Sequence, residues 1–471
     1  MQSQLTAPAR ARALRRVAAR AGTLGRLPFR TRSVARLADE PAVRVAWQAL
    51  WSSRLVVLCS GMLAVLSFGR APGSAAFDPL RLTAPFGYFG NLLVAPFARW
   101  DSVWYLTIAH GGYGHELARA EFFPLYPLGM RWVGAVVGSN LVAGILISLV
   151  SFGVALVLLY RLAALELGAD AARATVLVLA FCPMAWAFSA VYTEALFLAL
   201  SLGCILQARS GRWGWAGLLG ALATATRAEG LTLIVPLVLM FLYGPRTDRL
   251  PAARGSGIAR WVLSRDRTLS GRARSALLRI APRFPVTWEL GWVLLVPAGF
   301  GAFLLGLALS GGDGLAPFHA HQVWFRHFAA PFGGVWEGAN AAWDGLRQLL
   351  HGPAPPRYFT AAGGNALVVA EQNLVLFGFL VVAMVALVGV FRRLPFAYGA
   401  YALVALSLPL SYPVTPQPLQ SISRYALVIF PLFMWAGWWV AKRRITVPVV
   451  ASLAVLLGLF TAEFATWRFV A

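Results

Sequence analysis

Apolar residues run in blocks near spanning length at 50–69, 141–162, 174–191, 194–208, 213–226, 230–243, 290–309, 373–391, 395–411, 425–441 and 446–466. A tilted helix needs roughly 20 mostly apolar residues to cross a bilayer. The pattern therefore predicts an all-α polytopic membrane protein with about eleven transmembrane helices. Blocks 194–208 and 213–226 are short for a span, which leaves the count open by one or two. The polar stretches at about 70–140 and 310–372 are long enough to form two sizeable loops.

Composition agrees with the pattern, since 59% of residues are hydrophobic, 13% are charged, and mean hydropathy is +0.68. A formal charge of +23 raises the question of a nucleic-acid partner. The positions of the arginines answer it. They concentrate in the N-terminal arm from Arg10 to Arg54, in the loop from Arg246 to Arg283, at Arg392 and Arg393, and at Lys442, Arg443 and Arg444. With the spans above, all of these fall on one side of the membrane, which the excess of basic residues marks as cytoplasmic. The sequence thus predicts a multi-pass plasma-membrane protein with its N-terminus inside, its C-terminus outside, and both large loops outside. Membrane lipids are the partner that the basic arm implies, through orientation and headgroup contact, and no nucleic acid is called for. The first apolar block begins too late for a cleaved signal peptide.

Four regions follow: a basic cytoplasmic arm at 1–49, a transmembrane half at 50–243 with its outer loop at 70–140, a basic linker at 244–289, and a second transmembrane half at 290–471 with its outer loop at 310–372. Residues 245–287 are rich in Arg, Pro, Gly and Ser and read as a flexible connector.

Several chemistries are excluded. A P-loop needs a lysine after its glycines, and the single lysine of the chain, Lys442, lies in an unrelated setting. The run GSGIAR from Gly255 lacks the third glycine and the preceding strand of a dinucleotide site. Cys59, Cys182 and Cys204 all lie in apolar blocks without metal-ligand spacing and read as packing residues. His319, His321 and His327 sit in an outer loop without an accompanying carboxylate pattern, and read as solvated or interfacial rather than as metal ligands. Nothing in the residues requires a metal or a cofactor.

Carboxylates beside hydrocarbon are expensive and are usually kept for function. Asp101, Glu121, Glu194 and Glu229 are of this kind. Each also has a structural reading. Asp101 precedes SVWYLTIA and a Gly111-Gly112 stop, so it reads equally as the N-cap of a short interfacial helix or as a catalytic acid. Glu194 suits the positive end of a helix dipole, and Arg227 with Glu229 suits a local ion pair. Convergence favours function: Asp101, the 121–127 stretch, Tyr192 to Glu194, Arg227 and Arg424 all map to the same membrane face.

The stretches RWDSVWYLTIAHGGYG (99–114), AEFFPLYPLGMR (120–131), FSAVYTEALF (188–197) and ATRAEG (225–230), with SISRYALVIFPLF (421–433) further on, resemble the PIG-V-type mannosyltransferases. Eukaryotic members of that family add the second mannose in GPI-anchor assembly, and the family has bacterial relatives. The resemblance implies a GT-C glycosyltransferase bundle that takes sugar from a polyprenyl-phosphate donor on the extracytoplasmic side, with an acidic residue in the first large outer loop as its hallmark. Asp101 matches that position. The chain departs from the family at its turn motif, often Arg, Ser, Asn, Gly, where it has Arg227, Ala228, Glu229 and Gly230.

The chemistry so implied is transfer of mannose from polyprenyl-phosphate mannose to a hydroxyl of a lipid or glycan acceptor, with inversion. Such a transfer needs a base for the acceptor proton and help for the leaving phosphate. Asp101 is the expected base, its basicity set by burial and by Arg99 or Arg227 nearby. Arg227 and Arg424 are the expected phosphate forks, with His110 and His115 behind them. Trp100, Trp104, Tyr113, Glu121, Phe123, Tyr126, Tyr192 and Glu194 are the expected substrate-lining residues. Pro124 and Pro127 are expected to keep 121–132 irregular. Two other classes fit less well. A lipid-linked-sugar transporter would place its acids near the membrane midplane on broken helices, and a non-catalytic envelope-assembly protein would leave Asp101 dispensable.

Overall fold

A computed structural model describes residues 40–249, 282–352, 365–415, 417–468 and 470. Most of the expected arm at 1–49, the middle of the 244–289 linker and part of the 310–372 loop lie outside the described residues.

The helices follow in the order α1 Pro41–Phe68, α2 Tyr88–Val94, α3 Asp101–Gly111, α4 Leu125–Val137, α5 Asn140–Leu167, α6 Ala169–Ala180, α7 Glu194–Arg209, α8 Trp213–Thr224 and α9 Ile234–Tyr243. The chain continues with α10 Leu295–Leu309, α11 Ala316–Val323, α12 Gly333–His351, α13 Ala366–Arg393, α14 Phe396–Ser411, α15 Ile422–Leu427, α16 Phe430–Arg443 and α17 Thr446–Ala465. Among the described residues the only extended pairing is an isolated bridge between Arg326 and Val414. The protein is an all-α polytopic membrane protein.

Among the described residues five stretches are long and apolar enough to cross a membrane: α1, α5, Trp288–Leu309 ending in α10, α13 and α17. They coincide with five of the expected blocks. The other six blocks are shorter or interrupted, so the eleven expected spans do not appear as eleven full-length helices. The 16-residue α7 is about 24 Å long, against roughly 30 Å of hydrocarbon.

The block at 174–191 shows why. Its helix, α6, stops at Ala180, and residues 181–193 continue as turns around a 3₁₀ segment, Ala185–Phe188. Pro183 supplies no backbone donor there. Non-helical backbone at membrane depth must be satisfied by protein, and Arg54 of α1 does this. Its guanidinium donates to the carbonyls of Ala180 (3.3 Å) and Ala185 (2.7 Å) and to Ser189 Oγ (2.7 Å), and it lies over the Phe152 ring. Arg54, expected at the end of a basic arm in contact with headgroups, is instead a buried residue that closes a helix break.

A second expectation is also overturned. Residues 125–132 are regular helix, because Pro124 is the N-cap of α4 and Pro127 lies in its first turn. A proline in the first turn lacks only an N–H that has no intrahelical acceptor. The prolines start this helix rather than break it.

The halves on either side of the linker interleave. α16 packs on α6, α17 on α1, and α13 on α16, around one apolar core that draws on helices from both. Close approach depends on glycines: a Cβ at Gly437 of α16 would collide with the backbone of Thr175 in α6, and one at Gly389 of α13 with the Trp435 ring.

The bundle has two chemically different ends. At one, Arg161 pairs with Glu40, Arg209 and Tyr398 converge on Glu166, and Arg393 and Lys442 lie over Trp438. At the other, the start of α7, the end of α17 and the loop before α3 meet, with Arg99 donating to the Ala465 carbonyl at 3.0 Å. α7 runs from Glu194 at this second end to Arg209 at the first.

Candidate active site

Two acids open two helices. Asp101 is the first residue of α3 and Glu194 the first of α7, so both carboxylates lie in a first turn, where the helix dipole favours negative charge. Asp101 is not the N-cap. Trp100 holds that position and makes no side-chain cap bond. Trp100 has φ 53° and ψ −116°, a conformation that costs an L-residue on the order of 1–3 kcal/mol. Ser421, the residue before α15, also has positive φ, at 66°. The helices that deliver Asp101 and Arg424 thus both begin at a backbone position that the surrounding structure must enforce.

That enforcement is visible. The 190–194 segment runs beside 97–101 through a backbone bond from Val191 N to Phe97 O (2.9 Å), and the Tyr192 hydroxyl donates to the Arg99 carbonyl at 3.3 Å. The Tyr105 hydroxyl of α3 meets Thr193 Oγ1 at 3.2 Å. Beneath them Ser148 donates to the Ala190 carbonyl, and the Tyr126 hydroxyl lies 2.7 Å from Ser148 Oγ.

On this frame five charged groups form one chain. Arg424 donates through Nη1 to Asp101 Oδ2 at 2.7 Å and through Nε to Glu194 Oε1 at 2.9 Å. The same Glu194 oxygen receives Arg227 Nη1 at 3.0 Å, and Arg227 reaches Glu229 Oε1 through Nη2 at 3.0 Å. The Arg424 guanidinium also sits 4.5 Å from the centre of the Tyr192 ring. Glu194 is fully buried, whereas the Asp101 side chain keeps 29% of its surface exposed. Three carboxylates against two guanidiniums leave one net negative charge. Its open end is Asp101.

The cation beside Asp101 is therefore Arg424. Arg99, expected in that role, points instead to Ala465 and to the Trp467 ring, and Arg227 pairs with the two glutamates. Glu121 ends the 3₁₀ segment Leu117–Glu121, with its carboxylate 3.7 Å from His321 Nδ1. Burial pushes the Glu121 carboxyl up from its ordinary range, while Arg326 and His321 pull the other way.

Other expected residues lie further out. Trp100 bonds to the Arg468 carbonyl and packs against Phe77 and Trp467, and Trp104 stacks on Phe122 and meets Trp324. The Tyr113 hydroxyl donates to the Phe122 carbonyl, and Phe123 packs on Phe300 and Phe303 of α10. His110, in the last turn of α3, is about 13 Å along the helix from Asp101 and is exposed, as is His115. The site brings neither histidine to the charged chain.

Arg326 escaped the sequence reading. It donates to the Tyr412 carbonyl and the Tyr425 hydroxyl, both at 3.1 Å, and the Tyr425 ring also lies under Arg227. Burial works against its charge, but Tyr425, Glu121, Glu229 and Asp101 together outweigh burial and hold it protonated. The available signal was an arginine within HQVWFRHF, in the loop expected outside at 310–372. Buried polar atoms without partners flank the chain: Glu194 Oε2, Ser102 Oγ beside Asp101, and Ser423 Oγ beside Arg424. Among the described residues no group of three His, Cys, Asp or Glu could hold a metal ion.

The family model described as Mannosyltransferase (PIG-V) matches residues 48–243. Residues 48–243 are thus similar to the PIG-V mannosyltransferases. The matched segment contains Asp101, Tyr192, Glu194, Arg227 and Glu229, and the C-terminal part adds Arg326, Arg424 and Tyr425. GPI alpha-1,6-mannosyltransferase 2 of Mus musculus is 37% identical over 172 residues, covering 33% of this chain and 34% of that protein. The Homo sapiens protein of the same name is 32% identical over 178 residues, 34% of this chain and 35% of that protein. The chain thus spans about a third of the length of the curated relatives it matches. A crystal structure of ArnT from Cupriavidus metallidurans bound to undecaprenyl phosphate aligns over 87% of this chain and 77% of that chain, at 15% identity and a TM-score of 0.29.

Proposed function

We propose that the protein is a GT-C-type glycosyltransferase that moves mannose from polyprenyl-phosphate mannose to a hydroxyl of a lipid-linked or envelope glycan acceptor, with inversion, at the extracytoplasmic membrane face. The observation that carries this reading is the pairing, in and beside a segment similar to the PIG-V mannosyltransferases, of a part-exposed carboxylate with a half-buried guanidinium, Asp101 with Arg424. Asp101 takes the acceptor proton as the acceptor oxygen bonds to the sugar anomeric carbon. The bond from that carbon to the phosphate oxygen breaks, and the phosphate leaves with the electron pair. Arg424, and Arg326 behind it, supply the planar donors that stabilise the departing charge.

The membrane face is supported by the separation of the two ends of the bundle. The acidic chain lies at the start of α7, and the arginine-rich end, which the excess of basic residues assigns to the cytoplasm, lies about 24 Å away at its finish. In a background without the three native cysteines, His115→Cys is expected to react with an impermeant maleimide added outside intact cells, and Ser210→Cys only after lysis. The reverse pattern would place the acids in the cytoplasm and remove a polyprenyl-phosphate sugar as donor. For the activity itself, purified protein with radiolabelled polyprenyl-phosphate mannose and a lipid-extract acceptor is expected to yield labelled product, and GDP-mannose is expected to yield none. Transfer from GDP-mannose alone would sink the donor assignment.

A further inference from the structure

Arg424 divides its guanidinium between two carboxylates that differ in kind. The Glu194 edge is closed: Glu194 is fully buried, and the oxygen that takes Arg424 Nε at 2.9 Å is held from the other side by Arg227. The Asp101 edge is open, with a 2.7 Å bond to Nη1 at a side chain that keeps 29% of its surface exposed. A phosphate entering at the open edge meets the acidic end of the charged chain, at the single bond that ties Asp101 to Arg424. A guanidinium fork suits two phosphate oxygens better than one carboxylate oxygen held by a single bond.

Resting on the donor reading above, we propose that Asp101 and the lipid phosphate compete for the Nη1 edge of Arg424. Donor binding moves that edge from carboxylate to phosphate and frees Asp101 Oδ2 for the acceptor hydroxyl. Glu194 is the positioning residue that keeps Arg424 in place through the exchange, because the Nε bond to Glu194 does not have to break. The site holds its base in an ion pair until the donor is present, and the donor therefore binds before the acceptor proton can be taken.

The test is equilibrium binding of polyprenyl phosphate, without sugar, to the full chain in lipid nanodiscs. Wild type is expected to bind saturably. Asp101→Asn is expected to bind about tenfold more tightly, a change of about 1.4 kcal/mol, because the competitor has lost its charge. Glu194→Gln is expected to bind more weakly than wild type. A second measurement needs no variant: infrared difference spectra on saturating wild type are expected to show a carboxylate stretch shifting as Asp101 loses its guanidinium. Saturable wild-type binding with equal or weaker binding by Asp101→Asn, or with no carboxylate band, overturns the competition and leaves the donor reading standing. Equal binding of polyprenyl phosphate and uncharged polyprenol overturns the donor reading and the competition together.

Discussion

Asp101→Asn is expected to lower the initial rate of mannose transfer by about 10²- to 10⁴-fold, the range a general base contributes. Asparagine keeps an oxygen for Arg424 Nη1 and nearly the same volume, so the ion pair at 2.7 Å becomes a hydrogen bond from the guanidinium to a neutral amide oxygen rather than a gap. The thermal transition in detergent is therefore expected to stay near that of wild type while turnover is lost. Full turnover would remove Asp101 as base. Taken with the binding experiment, the variant should hold the lipid phosphate more firmly and do nothing with it, a combination that simple misfolding does not produce.

The other large effect is expected at Glu194, where the measured quantity is stability. Its one bonded oxygen satisfies both Arg424 and Arg227, and the side chain has no access to solvent. Its removal takes from both guanidiniums the carboxylate that joins them and empties a buried position, and breaking a buried ionic cluster in this way costs roughly 3–5 kcal/mol. Glu194→Ala is expected to lose about that much, read as a fall in the denaturant midpoint followed by tryptophan fluorescence. Glu229→Ala is expected to lose less, since Glu229 serves Arg227 alone among the two arginines of the chain. Equal effects at the two positions would mean that the cluster is not organised around Glu194.

Much of this arrangement was legible in the sequence. Five of the eleven hydropathy blocks coincide with long apolar helices, and Asp101, Tyr192, Glu194, Arg227 and Arg424, read from the sequence as lying on one face, meet in one place. What escaped has physical causes. Hydropathy alone does not show that the 174–191 block breaks at Ala180, because the break is made tolerable by Arg54 from a distant helix. Pro124 and Pro127 are breakers in a helix interior and starters at its beginning, and the sequence alone did not decide which. Arginines look alike in sequence: Arg54 was counted with the basic arm, Arg99 was expected beside Asp101, and Arg326 was passed over. Their roles are set by which carbonyls and rings surround them. The histidines failed for a simpler reason of length, since the rise of α3 carries His110 away from its first residue.

The dependence of Glu194 on two arginines also has a consequence for how the chain is made. Arg424 lies 230 residues after Glu194, which at ~5–20 residues per second is roughly 10–50 s of synthesis. During that interval a carboxylate destined for full burial is already in the membrane, and Arg227, two short helices downstream, is the counter-ion that arrives in time. Arg227 is thus the partner of Glu194 that is synthesised first, well before the C-terminal helices that bring Arg424.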